Sequence, residues 1–250
     1  MPRTAVTIKT ADGTCPASFF KPVGTGPWPG VIVFMDGPGI RPALFDLGER
    51  LSSSGYCVLL PDLFYRGGSY PPNNVAALFG DPEKRKAWME RYQSTATYPK
   101  VMSDMPAFLA FLDSQKEVKR GKIGTTGYCM GGGMSLTAAG TYPDRVAAAA
   151  SFHGGRLATD APDSPHLLAP KIKARVYIAG AIEDPSFPDD MKQRLSDALV
   201  QAHVDHVLET YAGAKHGWVP TDTPVHNPEQ AERHWKNLIG LFDETLKAAG

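Results

Sequence analysis

The sequence predicts one α/β domain over residues 1–250, with a mainly parallel sheet, helices on both faces and an antiparallel N-terminal hairpin. Three observations predict it. Short apolar runs alternate with segments of helical periodicity along most of the chain. Two of those runs, Val31–Met35 and Cys57–Leu60, are apolar throughout, as strands buried on both faces should be. No composition break, repeat or low-complexity tract divides the chain.

The elements follow in order. Ala5–Thr10 and Cys15–Lys21 alternate in polarity around the turn signal Ala11-Asp12-Gly13, which predicts a hairpin. Val31-Ile32-Val33-Phe34-Met35 is a buried strand. Pro42–Ser54 carries Leu44, Leu47 and Leu51 at helical spacing and stops before Gly55. Cys57–Leu60 is a further strand, ended by Pro61. Residues 66–81 are rich in Gly and Pro and predict a long loop, of the kind that is functional or mobile. Helices are predicted over Pro82–Thr95 and Pro99–Ser114. Lys122–Thr126 is a strand, followed by a glycine-rich turn and a helix of small residues to about Tyr142. Strands at Ala147–Phe152, Arg175–Ile178 and His206–Tyr211 and helices at Pro188–Ala202 and Pro228–Ala249 complete the chain.

Composition removes several function classes. Lys and Arg number 26 and Asp and Glu number 26, so there is no cationic surplus for nucleic acid or for a polybasic membrane anchor. Twenty-five glycines and 22 prolines imply many turns within an ordinary globular composition. Cys15, Cys57 and Cys129 cannot all pair, and no CxxC spacing is present. The start of the chain has no signal-peptide run, and no window approaches the roughly 18 apolar residues of a membrane span. The expected compartment is the cytoplasm, where a thiol stays a thiol.

Gly127-Tyr128-Cys129-Met130-Gly131 is the most specific signal in the sequence. It has the form G-x-nucleophile-x-G between a strand and a helix, a nucleophile elbow. The N–H of Met130 then faces the site at a helix N-terminus, where negative charge is favoured. Read alone, Cys129 could be a small buried hydrophobe; the strand–turn–helix context favours the nucleophile. A thiol nucleophile needs a base, and the base an orienting acid. Asp184 and His216 both follow strands, in the order nucleophile, acid, histidine, at the carboxyl ends where open sheets bind ligands. Glu183 is a rival acid. His153, also after a strand, is placed in the pocket wall. His203 and His206 have no third ligand nearby, so no metal site is expected. His166, His226 and His234 fall in contexts that read as exposed.

These residues resemble the dienelactone hydrolase family. Gly127-Tyr128-Cys129-Met130-Gly131-Gly132 is close to that family's Gly-Tyr-Cys-Leu-Gly-Gly, and Pro61-Asp62-Leu63-Phe64 is similar to its Pro-Asp-Leu-Tyr. The resemblance runs from about residue 30 to the C-terminus. It implies an eight-stranded α/β-hydrolase fold, no cofactor, and a small-molecule ester or lactone cleaved through a thioester acyl-enzyme. It places Asp36 where the family carries a thiol-activating Glu, and makes the Gly37 N–H a second oxyanion donor beside Met130. Such donors contribute about 3–4 kcal/mol each. Arg66 matches a family arginine, and Arg85 lies in the region of a second. Pro220 stands where members acting on anionic lactones have an Arg. With Trp218 and Val219 it forms an apolar strip that predicts a neutral acyl or aryl substrate. A thioesterase or peptidase on the same fold, or a catalytically silent protein used for ligand binding or redox sensing, remains open at this point.

Overall fold

The structure is a computed structural model that describes residues 3–248. Eight strands, β1 Arg3–Thr10, β2 Gly13–Phe20, β3 Gly30–Phe34, β4 Cys57–Pro61, β5 Ile123–Tyr128, β6 Val146–Phe152, β7 Arg175–Ala181 and β8 His206–Tyr211, form one sheet. Their order is β1-β2-β4-β3-β5-β6-β7-β8. β1 pairs antiparallel with β2, and β2 with β4; the pairs from β4 to β8 are parallel. This is the sheet the sequence predicts. β3 and β5 are buried along their whole length, which explains their continuous apolar or small-residue runs.

Seven α-helices flank the sheet: α1 Pro42–Ser53, α2 Val75–Gly80, α3 Pro82–Arg91, α4 Tyr98–Ser114, α5 Met130–Thr141, α6 Asp189–Gln201 and α7 Pro228–Phe242. α1 and α7 meet where Arg50 pairs with Glu232 and lies over the Trp235 ring. α5 is almost wholly buried and is built from small residues because it lies directly on the sheet. A Cβ on Gly127 would stand 1.9 Å from the Gly131 carbonyl oxygen, and one on Gly131 would stand 2.3 Å from that of Phe34. Glycine at both positions lets β5, β3 and the start of α5 touch backbone to backbone. Among the described residues, no helix is long and apolar enough to cross a membrane.

The chain leaves β3 for β4 on one side and then returns to β5 on the other. The strand order therefore reverses between β3 and β5, and a crevice opens beyond their carboxyl ends. Cys129 and the segment 36–41 occupy that point.

The segment 66–81 differs from the expected loop. It holds a 3₁₀ turn at Tyr65–Gly67 and the helix α2, whose N-cap Asn74 accepts the Ala77 N–H at 3.0 Å. The two prolines at 71 and 72 obscured this cap and the apolar Val75 and Leu78 behind it. The segment is also well anchored. Tyr70 Oη donates to Asp62 and accepts from Ile40 N–H, and Asn73 Nδ2 donates to the Pro38 carbonyl. The predicted helix 82–95 gives way at Tyr92 to a 3₁₀ turn, Gln93–Thr95. The terminal helix changes at Asp243 to a π-helical turn, Asp243–Lys247; the last residue of its predicted span, Ala249, lies outside the described residues.

The backbone contact at Gly127 yields a stability test. Gly127→Ala should destabilise the fold by about 3 kcal/mol or more, because the atoms it meets are backbone and cannot rotate away. Gly240→Ala, in α7 with nothing within 4 Å of its Cβ, should stabilise by about 0.5–1 kcal/mol. Urea unfolding of the two variants measures both.

Candidate active site

Cys129 lies at the turn between β5 and α5 with φ 54° and ψ −118°, a left-handed conformation that a side-chain-bearing residue adopts only under constraint. Its N–H is shared by the Phe152 carbonyl at 3.1 Å and His153 Nδ1 at 3.0 Å. Cys129 is partly exposed and lines a cavity of about 450 Å³. Cys15 and Cys57 are buried. Burial pushes both thiols up, that of Cys57 to about 12. Cys129 is thus the cysteine with access to a ligand.

His216, in the loop after β8, donates from Nδ1 to Asp184 Oδ2 at 2.7 Å. Asp184 is buried in the loop after β7, and its other oxygen accepts from Ser186 N–H at 2.9 Å and Ser186 Oγ at 2.6 Å. Burial alone would lower the His216 pKa, but the Asp184 hydrogen bond and the interaction with Cys129 outweigh it and raise the value to about 10. Burial likewise works against ionised Asp184, and the His216 and Ser186 donors overcome it, giving about 2. The structure therefore bonds His216 to Asp184 and brings Cys129 and His216 to the wall of one cavity. Glu183 is exposed and makes no bond to the imidazole. Ser186 escaped the sequence reading, although Asp-x-Ser is a common side-chain turn pattern that could have flagged it.

Met130 N–H opens the first turn of α5, where no intrahelical acceptor is available. Gly37 lies just past β3, and its carbonyl accepts from Trp88 Nε1 at 2.8 Å and Gln93 Nε2 at 3.1 Å. The close seat of Gly131 on the Phe34 and Met35 carbonyls draws the two segments together. Of the two residues, Met130 lines the cavity and Gly37 does not.

Other expected residues are placed differently. Asp36 does not face the thiol. Its two oxygens accept from Arg41 Nη1 at 2.6 Å and Nη2 at 2.9 Å. Arg41 is fully buried, and its demand for carboxylates outcompetes the thiol; it also binds Asp222 at 2.6 Å. Arg66 is spent on Asp104 and Asp12, over the Tyr65 ring and away from the cavity. Trp218 is fully buried against His153 and Tyr211, and Val219 and Pro220 are buried too, so the apolar strip does not line the cavity. The sequence argument for a neutral substrate therefore loses its support. The cavity wall is instead Gln93, Tyr98, Met130, Met134, Arg156 and Asp163, with Cys129 and His216 at its base. Arg156 was missed; an isolated arginine in a loop gives no local signal.

His153 is fully buried, and burial together with nearby His216 and His234 holds its pKa well below the ordinary value. His234, which read as exposed, is also fully buried. Its Nε2 is 3.0 Å from Tyr128 Oη, and burial lowers its pKa to about 3. It sits on the inward face of α7, where the helical period of Ala231, Trp235 and Leu238 would have placed it.

Known proteins agree with this architecture. The dienelactone hydrolase family profile matches residues 15–246. A Synechocystis sp. protein provisionally named a carboxymethylenebutenolidase is 27% identical, the match covering 98% of this chain and 97% of that one. A Bradyrhizobium sp. protein provisionally named a 2-oxo-3-(5-oxofuran-2-ylidene)propanoate lactonase is 27% identical over 88% of this chain and 85% of its own. In fold, a provisionally named dienelactone hydrolase from Klebsiella pneumoniae superposes with a TM-score of 0.84 at 22% identity, covering 96% of this chain and 98% of that chain. The elbow, the sheet order and the match over nearly the whole sequence lead to one assignment: the chain belongs to the dienelactone hydrolase family.

Proposed function

We propose that the protein hydrolyses a small carboxylic ester or lactone through a thioester on Cys129. The observation that carries this is the Asp184–His216 hydrogen bond, with His216 and Cys129 lining one cavity of about 450 Å³. His216, raised to about 10, holds the proton of the Cys129 thiol, and sulfur attacks the carbonyl carbon as the thiolate. The Met130 and Gly37 N–H groups stabilise the tetrahedral oxyanion. As the intermediate collapses, the C–O bond to the leaving alkoxide breaks, and that oxygen takes the proton from His216. Water then attacks the thioester, its proton passes to His216, and the carboxylic acid leaves as the C–S bond breaks and the thiolate is released beside the protonated His216. Asp184 holds the Nδ1–H tautomer throughout, and Ser186 holds Asp184. For a lactone the alkoxide and acid remain one molecule.

An activated aryl ester tests the mechanism. A pre-steady-state burst should equal one equivalent of enzyme, and mass spectrometry should place the acyl group on Cys129. Cys129→Ala should remove both and keep the fold. A catalytically silent protein would show no burst, and an adduct on Cys15 or Cys57 instead would refute the assignment.

Asp184→Asn should lower kcat by about 10³–10⁴-fold, since an amide can hold the wrong tautomer. Glu183→Gln, at an exposed site, should stay within about threefold of wild type. Steady-state kinetics of the pair discriminates; the reverse ranking would make Glu183 the acid.

The two shifted groups also set a pH window for stability. Asp184 is depressed from 3.8 to about 2, so its contribution is complete above about pH 4 and is lost as pH falls through 2. His216 is raised from 6.5 to about 10, so its contribution is complete below about pH 6.5 and is lost as pH rises through 10. The gap in thermal midpoint between wild type and His216→Gln should be widest between about pH 4 and 6.5 and narrow steadily above it. Calorimetry across that range provides the check.

A further inference from the structure

His153 is a buried titratable group beside the reacting atoms that the proposed chemistry does not use. Three features coincide on it. Its φ is 41°, unfavourable for any residue with a side chain. Its Nδ1 accepts the Cys129 N–H at 3.0 Å. Its Nε2 is buried and has no partner among the described residues. Because Nδ1 accepts, it carries no proton, so the ring is the neutral Nε2–H tautomer; an imidazolium would set donor against donor.

We infer that His153 is a positioning residue for the nucleophile, its Nδ1 lone pair sharing the Cys129 N–H with the Phe152 carbonyl and so holding the elbow in its strained form. The inference rests on Cys129 being the nucleophile. A side chain that only filled space against Trp218 and Tyr128 would be apolar. It would leave no desolvated N–H unpaired. His153 instead bears two unfavourable terms, and the hydrogen bond its ring makes goes to the residue that attacks. The ring also stands edge-on to His216, 5.3 Å between centroids, and so lies between the nucleophile's backbone and the base. Without the imidazole the Cys129 N–H keeps only the Phe152 carbonyl, and φ is held less tightly. The thiol and the adjoining Met130 N–H would then swing together, which weakens transition-state contacts more than ground-state binding.

The test is a set of substitutions in the intact protein. Asn tolerates positive φ and keeps an acceptor at the Nδ1 position, Gly tolerates positive φ with no acceptor, and Leu has neither. His153→Asn should keep kcat within about threefold of wild type. His153→Gly and His153→Leu should lower kcat about tenfold or more, with KM within about twofold. Equal kcat across the three variants, or loss in Asn as large as in Gly, would overturn the inference. If Gly and Leu do not fold, the ¹⁵N spectrum of the wild-type protein decides. A His153 proton on Nε2 alone supports it, and one on Nδ1 refutes it. Acylation is followed in parallel: no adduct on Cys129 in the wild type refutes the parent mechanism. An adduct there with unaltered kcat in the variants refutes only the positioning role.

Discussion

A guanidinium with no solvent exposure must be neutralised where it stands. Arg41 meets that demand by holding Asp36 and Asp222 at once and by donating to the Gly39 carbonyl. Asp36 follows β3, and Asp222 lies in the loop that follows His216. One cation thus clamps the segment that carries Gly37 to the loop that carries His216. Removing one partner of such a buried group typically destabilises by about 3–5 kcal/mol, so the two loops cannot part cheaply. Trp88, Gln93 and Asn73 fasten the same segment from the other side through the Gly37 and Pro38 carbonyls. The Gly37 segment is therefore held from both flanks, and under the proposed mechanism its N–H would be fixed before any substrate arrives.

The sheet supplies the second restraint. Its hydrogen bonding continues past the strand ends: Cys129 N–H donates to Phe152, His153 N–H to Ala179, and Ile182 N–H to Ala214. Each loop that carries a site residue is tied to the next strand or its loop. Positive φ at Cys129, His153, Arg156 and Glu183 falls in these loops. Strain of about 1–3 kcal/mol per residue persists only where the surroundings over-determine the backbone. The ladder does so here, and Arg156 N–H adds a further tie to the Ser186 carbonyl at 2.7 Å.

Much of this was legible in the sequence, for identifiable reasons. Strands buried on both faces left unbroken apolar runs, and the elbow left its glycines because backbone touches backbone there. Cys129, Asp184 and His216 were readable because each follows a strand, and chain order alone implied that they meet. α2 was hidden by adjacent prolines, and His234 by treating a helical histidine as a surface residue without testing its period. Asp36 was placed by the resemblance, and Arg41, five residues further on and just before the predicted helix Pro42–Ser54, was given no role.

Arginine use shows most clearly why specificity was harder to read than chemistry. Chemistry rests on local geometry at three strand ends. Specificity rests on which charges remain unspent, and that is decided by partners far away in sequence. Arg66 is consumed by Asp104 and Asp12, and Arg41 by Asp36 and Asp222, so neither can serve a ligand. Arg156 is exposed at the cavity wall near Tyr98 and Asp163, its backbone pinned to the loop that carries Asp184. A cation fixed at its backbone and free at its head is suited to meet a ligand, whereas one already paired must first surrender a carboxylate. Among the described residues, which carboxylates hold each arginine, rather than the number of arginines in the sequence, decides which of them turns its charge to the cavity.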